Sequence, residues 1–186
     1  MTPSKAFFTV VSVFVALIFV GCYTTPGYYG YISETVSKID NTRQISMKPF
    51  PVGDSPLKLG MYKSSTMPKD MVLLVVQLQG AHNFDKGSLL RFNIDATPYS
   101  FPPYQAPGLR RSSPDDINVL VYDATSHWST ERYAVTMDFI RNLYTAHGTV
   151  VRVDLGNEFY EGSLFYHSAV SDRTAIKSFH DRVMKW

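Results

Sequence analysis

Cysteine is almost absent: Cys22 is the only one in 186 residues. A lone thiol excludes an intrachain disulfide and any cysteine-based metal site. Charge of one sign is missing too, with 18 Lys and Arg against 16 Asp and Glu, a net +2. So even a balance leaves no electrostatic footprint for nucleic acid. The longest basic run is Arg110-Arg111, well short of the ~4–8 that anionic lipid attracts. Catalytic signatures are scarce: there is no HExxH, no GxSxG elbow and no glycine-rich phosphate loop. Long apolar runs are limited to one, Ala6 to Val20. As a helix it would extend about 22 Å, short of the ~30 Å hydrocarbon core.

That run has neighbours of a particular kind. Lys5 is the only charge before Glu34, and Gly21-Cys22 follows directly. A positive start, an apolar middle and a small residue at the end read as a secretory signal peptide rather than a permanent span. Taken alone, Cys22 is either a lipid attachment point or an incidental apolar residue closing an ordinary signal or an uncleaved anchor. Phe19-Val20-Gly21-Cys22 resembles the lipobox of bacterial lipoproteins, with Phe19 where Leu is more usual. The resemblance covers residues 1–23. It implies a thioether-linked diacylglycerol on Cys22, cleavage after Gly21 and acylation, as with palmitate, of the new amino group. Tyr23 after the cysteine, rather than Asp, implies sorting to the outer membrane, facing the periplasm. Two or three acyl chains, at ~0.8 kcal/mol per buried CH₂, hold a protein without a spanning helix.

The domain plan is therefore a signal peptide over 1–21, a lipidated tether over 22–34 and one β-rich domain over 35–186. The tether holds four Tyr, two Gly and one Pro, and its Gly and Pro deny it regular structure. Its tyrosines suit either the headgroup level of a membrane or the surface of the domain. Beyond it, strand signals dominate. Arg43 to Phe50 and Leu57 to Lys63 alternate apolar and polar residues, and Pro49 places its strand end at an edge. Met71 to Leu78 is continuously apolar, the pattern of a strand buried on both faces. Leu89 to Asp95 sets Leu90, Phe92 and Ile94 on one face, with 81–87 expected as a hairpin loop before it. Ile117 to Tyr122 reads as a short strand, and Glu131 to Met137 as strand or helix start.

Two helices are expected later: Asp138 to Ala146, capped by Asp138, and Asp172 to Lys185, with Ile176, Phe179 and Val183 as its apolar stripe. Between them Thr149 to Leu155 and Phe159 to Phe165 form a hairpin. Strands in runs with segregated helices indicate an α+β fold: a mostly antiparallel sandwich or open barrel with two helices in the C-terminal half.

Pro98 to Pro114 holds five prolines, read as a long connection outside any central strand. Tyr99, Phe101, Tyr104, Arg110 and Arg111 within it are the candidate partner-binding residues; the bland reading is a loop whose aromatics cap the core. The five histidines (82, 127, 147, 167 and 180) lie near turns in no metal-ligand order, so no metal and no cofactor is expected. Asp115-Asp116 suits a turn, and Asp154, Glu158 and Glu161 suit a solvated hairpin. The function expected is a lipid-anchored, non-enzymatic binding or structural module of the bacterial envelope with a protein partner there. The alternative is an envelope-associated hydrolase with a convergent site around His127 or His82.

Overall fold

The computed structural model describes residues 31–84, 87–105, 128–165 and 169–186. Period-two alternation sets the architecture: nine antiparallel strands among the described residues form two sheets. The larger contains β1 (Ile32–Val36), β2 (Arg43–Pro51), β3 (Leu57–Ser64), β4 (Met71–Gln79) and β7 (Trp128–Thr136), in the order β1-β2-β3-β4-β7. The smaller contains β5 (Leu89–Ile94), β6 (Thr97–Phe101), β8 (Thr149–Leu155) and β9 (Glu158–Leu164), in the order β6-β5-β8-β9. Helices α1 (Met137–Thr145) and α2 (Ala169–Val183) complete the α+β fold in the C-terminal half.

Both sheets and both helices feed one core. From the larger sheet come Ile45, Met47, Leu59, Met61, Val72, Leu74 and Tyr133, and from the smaller Leu90, Phe92, Val151 and Val153. Phe139, Ile140 and Leu143 of α1 and Ile176, Phe179 and Val183 of α2 add their apolar stripes to it. Burial of β4 extends to both faces, with Leu73 and Val75 hidden as well as Val72, Leu74 and Val76. Such burial stabilises by roughly 25 cal/mol per Å² of apolar surface.

Several expectations need correction. Residues 81–87 make no hairpin: β4 pairs with β3 and β7, and the chain crosses to the other sheet before β5. Alternation marks a strand but not its neighbour. Helix α1 is capped by Thr136, whose hydroxyl accepts from the Phe139 N–H at 3.2 Å, and Asp138 instead pairs with Arg141. Thr97–Phe101 is a strand although it holds Pro98; it lies at the sheet edge, where a missing N–H is tolerated. Strand β1 takes Ile32 to Glu34 from the expected tether. Helix α2 starts at Ala169, earlier than Asp172. The strand expected at 117–122 and the tether to residue 30 lie outside the described residues.

Proline placement in β2 agrees with the edge reading. Pairing with β3 slips between Met47 and Phe50, and Pro49 sits in that slip, beyond the end of β1.

The β5–β6 turn is built on Asp95 and Ala96, at φ 47° and 67°. A two-residue turn of this hand favours Asn-Gly or Asp-Gly, so Ala96 carries strain. Replacing Ala96 with glycine is expected to raise stability by about 0.5–1 kcal/mol, visible as a thermal midpoint higher by about 2 °C. An unchanged or lower midpoint would contradict the strain.

Candidate functional site

Inward residues of the smaller sheet are apolar, so alternation sends Arg91, Asn93, Ser100, Val150, Arg152, Glu161 and Ser163 to its other face. Register then makes neighbours of residues far apart in sequence. Arg91 lies opposite both Arg152 and Ser100, Asn93 opposite Val150, and Arg152 opposite Glu161. Two like charges placed directly across a ladder repel. Asp154 relieves this by accepting from both: Arg91 Nε reaches its Oδ2 at 2.5 Å and Arg152 Nε its Oδ1 at 2.6 Å. The Arg152 guanidinium also lies 3.9 Å from the centre of the Phe159 ring.

Two shallow depressions mark this face, about 440 and 430 Å³, with Asn93 and Val150 lining both. Arg91, Arg152, Tyr99 and Glu161 line the first. Around the second stand Asp95, Ala96 and Phe165, three of the four described non-glycine residues with positive φ. Backbone strain of this kind tends to gather at functional surfaces. Here it is held in place. The Asp95 carboxylate accepts from Gly148 N–H at 2.8 Å and His147 N–H at 3.0 Å, and those donors keep it below the usual carboxylate range. Arg173 donates to the His147 carbonyl at 3.0 Å and covers the Phe165 ring at 4.6 Å.

Chemically, the face offers guanidinium donors, an amide, hydroxyls and a strip of apolar surface. Its central carboxylate is bonded to two cations, so it is poorly suited to act as a base. Recognition suits it better than proton transfer.

The residues singled out from sequence are dispersed. Tyr99 and Phe101 turn their rings to Phe139 of α1, at 5.2 and 4.8 Å between centroids. Tyr104 donates its backbone N–H to the Arg132 carbonyl at 2.7 Å. Cys22, Arg110, Arg111, His127 and His167 lie outside the described residues. Of the remaining histidines, His82 Nε2 meets the Gln79 carbonyl at 2.8 Å, His180 Nδ1 meets Asp181 at 3.3 Å, and His147 bonds through its backbone. Ser129 beside His82 accepts the His82 backbone N–H and donates to the Gly80 carbonyl. Among the described residues no histidine ring joins a hydroxyl and a carboxylate, so nothing there favours the hydrolase.

Ser55-Pro56-Leu57-Lys58 has the Ser-x-x-Lys spacing of a nucleophile pair. Ser55 Oγ instead accepts the Leu57 N–H, and Lys58 Nζ sits 3.9 Å over the Trp128 ring. Among the described residues no group of three or more His, Cys, Asp or Glu could hold a metal ion. No described helix is long and apolar enough to cross a membrane. Arg91, Arg152 and Asn93 escaped sequence reasoning; their signal was the outward half of two alternating strands. Compared with protein-family models, curated proteins and solved structures, the chain matches none.

Proposed function

We propose that the chain is a lipid-anchored protein of the bacterial cell envelope, a non-enzymatic binding module that presents the open face of its smaller sheet to an envelope partner. The observation that carries this reading is Cys22, the sole cysteine, standing directly after Val20-Gly21 at the end of the apolar run. What supports the binding role is a face whose central charges, Arg91, Asp154 and Arg152, are already engaged in ion pairs and whose strained turn is held by the Asp95 carboxylate. The outer membrane, facing the periplasm, is the proposed location.

Mass spectrometry of the membrane fraction tests the anchor. The native chain is expected to yield an N-terminal peptide starting at Cys22 with a diacylglycerol mass, and Cys22→Ser to lack that mass and keep its leader. A native peptide without lipid refutes the anchor. For the binding role, Val150→Glu at the centre of the face is expected to abolish chemical cross-links to envelope proteins without moving the thermal midpoint. Unchanged cross-links overturn that role.

A further inference from the structure

Among the described residues, three of the four sheet edges are obstructed. On β6 the two-residue turn directs Thr97, Tyr99 and Phe101 to β5, leaving Pro98 outward with no N–H to offer. Beside β7, Pro103 bridges Tyr133 and Tyr104 bonds Arg132. Along β9, Gly53 lies so near that a Cβ on it would stand 3.1 Å from the Ser163 carbonyl oxygen.

Strand β1 has no such guard among the described residues. Lys48 N–H donates to the Tyr31 carbonyl and Ser37 N–H to Thr42, each at 2.9 Å. The antiparallel pattern then turns Tyr31, Ser33 and Thr35 toward β2, and aims the N–H and C=O of Ile32, Glu34 and Val36 outward. None of these outward groups has a partner among the described residues. Three of the five exposed large hydrophobic residues among the described ones lie on this strand or beside it: Tyr31 at 62%, Val36 at 55% and Ile39 at 97%.

We propose that β1 pairs antiparallel with β1 of a second copy of this chain on the membrane, joining two five-stranded sheets into one. This rests on the anchored reading above. The side-chain order is self-complementary about Glu34: Ile32 of one copy lies opposite Val36 of the other, and Ser33 opposite Thr35. Both are favourable cross-strand pairs. The three outward residues supply three hydrogen-bonded pairs. At the axis Glu34 meets its own copy, a repulsion that Arg43, 2.6 Å from each Glu34, offsets.

Anchoring helps in two ways. It concentrates copies in a plane, and its geometry permits the pairing. The two strands start at opposite ends of a pair about 17 Å long. Residues 23–30 can stretch at most about 28 Å, so both anchors reach one bilayer. A contact of five residues is small for a soluble dimer, which suits an association that depends on confinement.

Oxidative cross-linking of the full chain in its native membranes tests this, with copper–phenanthroline and oxygen joining two thiols. Glu34→Cys is expected to give a band at twice the chain mass containing only this protein. Ile39→Cys, more exposed than Glu34 but off the axis, is expected to give none. Adding Val36→Pro to Glu34→Cys leaves the β1–β2 ladder whole and blocks the outer edge, so the band is lost while the thermal midpoint holds. The proposal is overturned by a Glu34→Cys yield no higher than that of Ile39→Cys, by indifference to Val36→Pro, or by a band containing another protein. The native chain supplies the separate control: a dimer through Cys22 means an unlipidated thiol and sinks the anchor, not the pairing.

Discussion

Replacing Gly162 with alanine is expected to lower the thermal midpoint by roughly 6–12 °C, through a loss of about 3 kcal/mol. Gly162 lies on β9 where the β2–β3 turn presses against the strand. A Cβ there would stand 2.3 Å from the Val52 carbonyl oxygen and 2.9 Å from Ser55 Cβ. The first obstacle is backbone, so relief requires one sheet to back away from the other rather than one side chain to rotate. Gly156, in the β8–β9 turn, is the control. It has φ +59° and open space around its would-be Cβ, so alanine there costs only the left-handed strain, about 1 kcal/mol. Equal melting of the two variants would show that the contact at Val52 does not clamp the sheets.

Lys63→Met is expected to cost about 2–4 kcal/mol, seen as a lower urea midpoint with an unchanged slope. Lys63 is 3% exposed, on the inward side of β3 at the rim of the core. Its ammonium donates to the carbonyls of Pro68 at 2.5 Å, Met71 at 2.8 Å and Lys69 at 3.1 Å, closing the β3–β4 connection around one cation. Burial pulls the group below its usual lysine value, with Asp70 opposing. Methionine keeps the length and the apolar stem but offers no donor, so carbonyls that converge on one point lose their partner together. A stability loss of less than about 0.5 kcal/mol, the range of ordinary surface changes, would mean that water replaces the ammonium.

Much of the fold was legible because burial has a period. Leu90, Phe92 and Ile94 alternate in sequence and are 0%, 2% and 5% exposed, and Ile176, Phe179 and Val183 keep their helical spacing inside the core. The strand at 32–36 was harder, because Ile32-Ser33-Glu34-Thr35-Val36 follows a Gly- and Tyr-rich stretch and presents exposed residues. What alternation cannot supply is register. Arg91 and Arg152 are 61 positions apart, and only the β5–β8 pairing sets them side by side around Asp154. The aromatics at 99 and 101 drew notice for their prolines, whereas their rings were spoken for by Phe139, a partner that a reading of residues 98–114 alone does not contain.

The pairing of β4 with β7 has a consequence for how the chain acquires its shape. Nine consecutive partners, Met71 with Thr136 through Gln79 with Trp128, come from segments separated by the whole of β5 and β6. Until the later strand arrives, the greasiest strand of the protein has one naked flank. Contacts this distant form slowly, and an apolar strand waiting with an open side invites association with its neighbours. The hazardous interval in the life of this molecule is thus its assembly, and any helper that shields Met71–Gln79 until Thr136 is in place would raise the yield more than one acting on the finished fold.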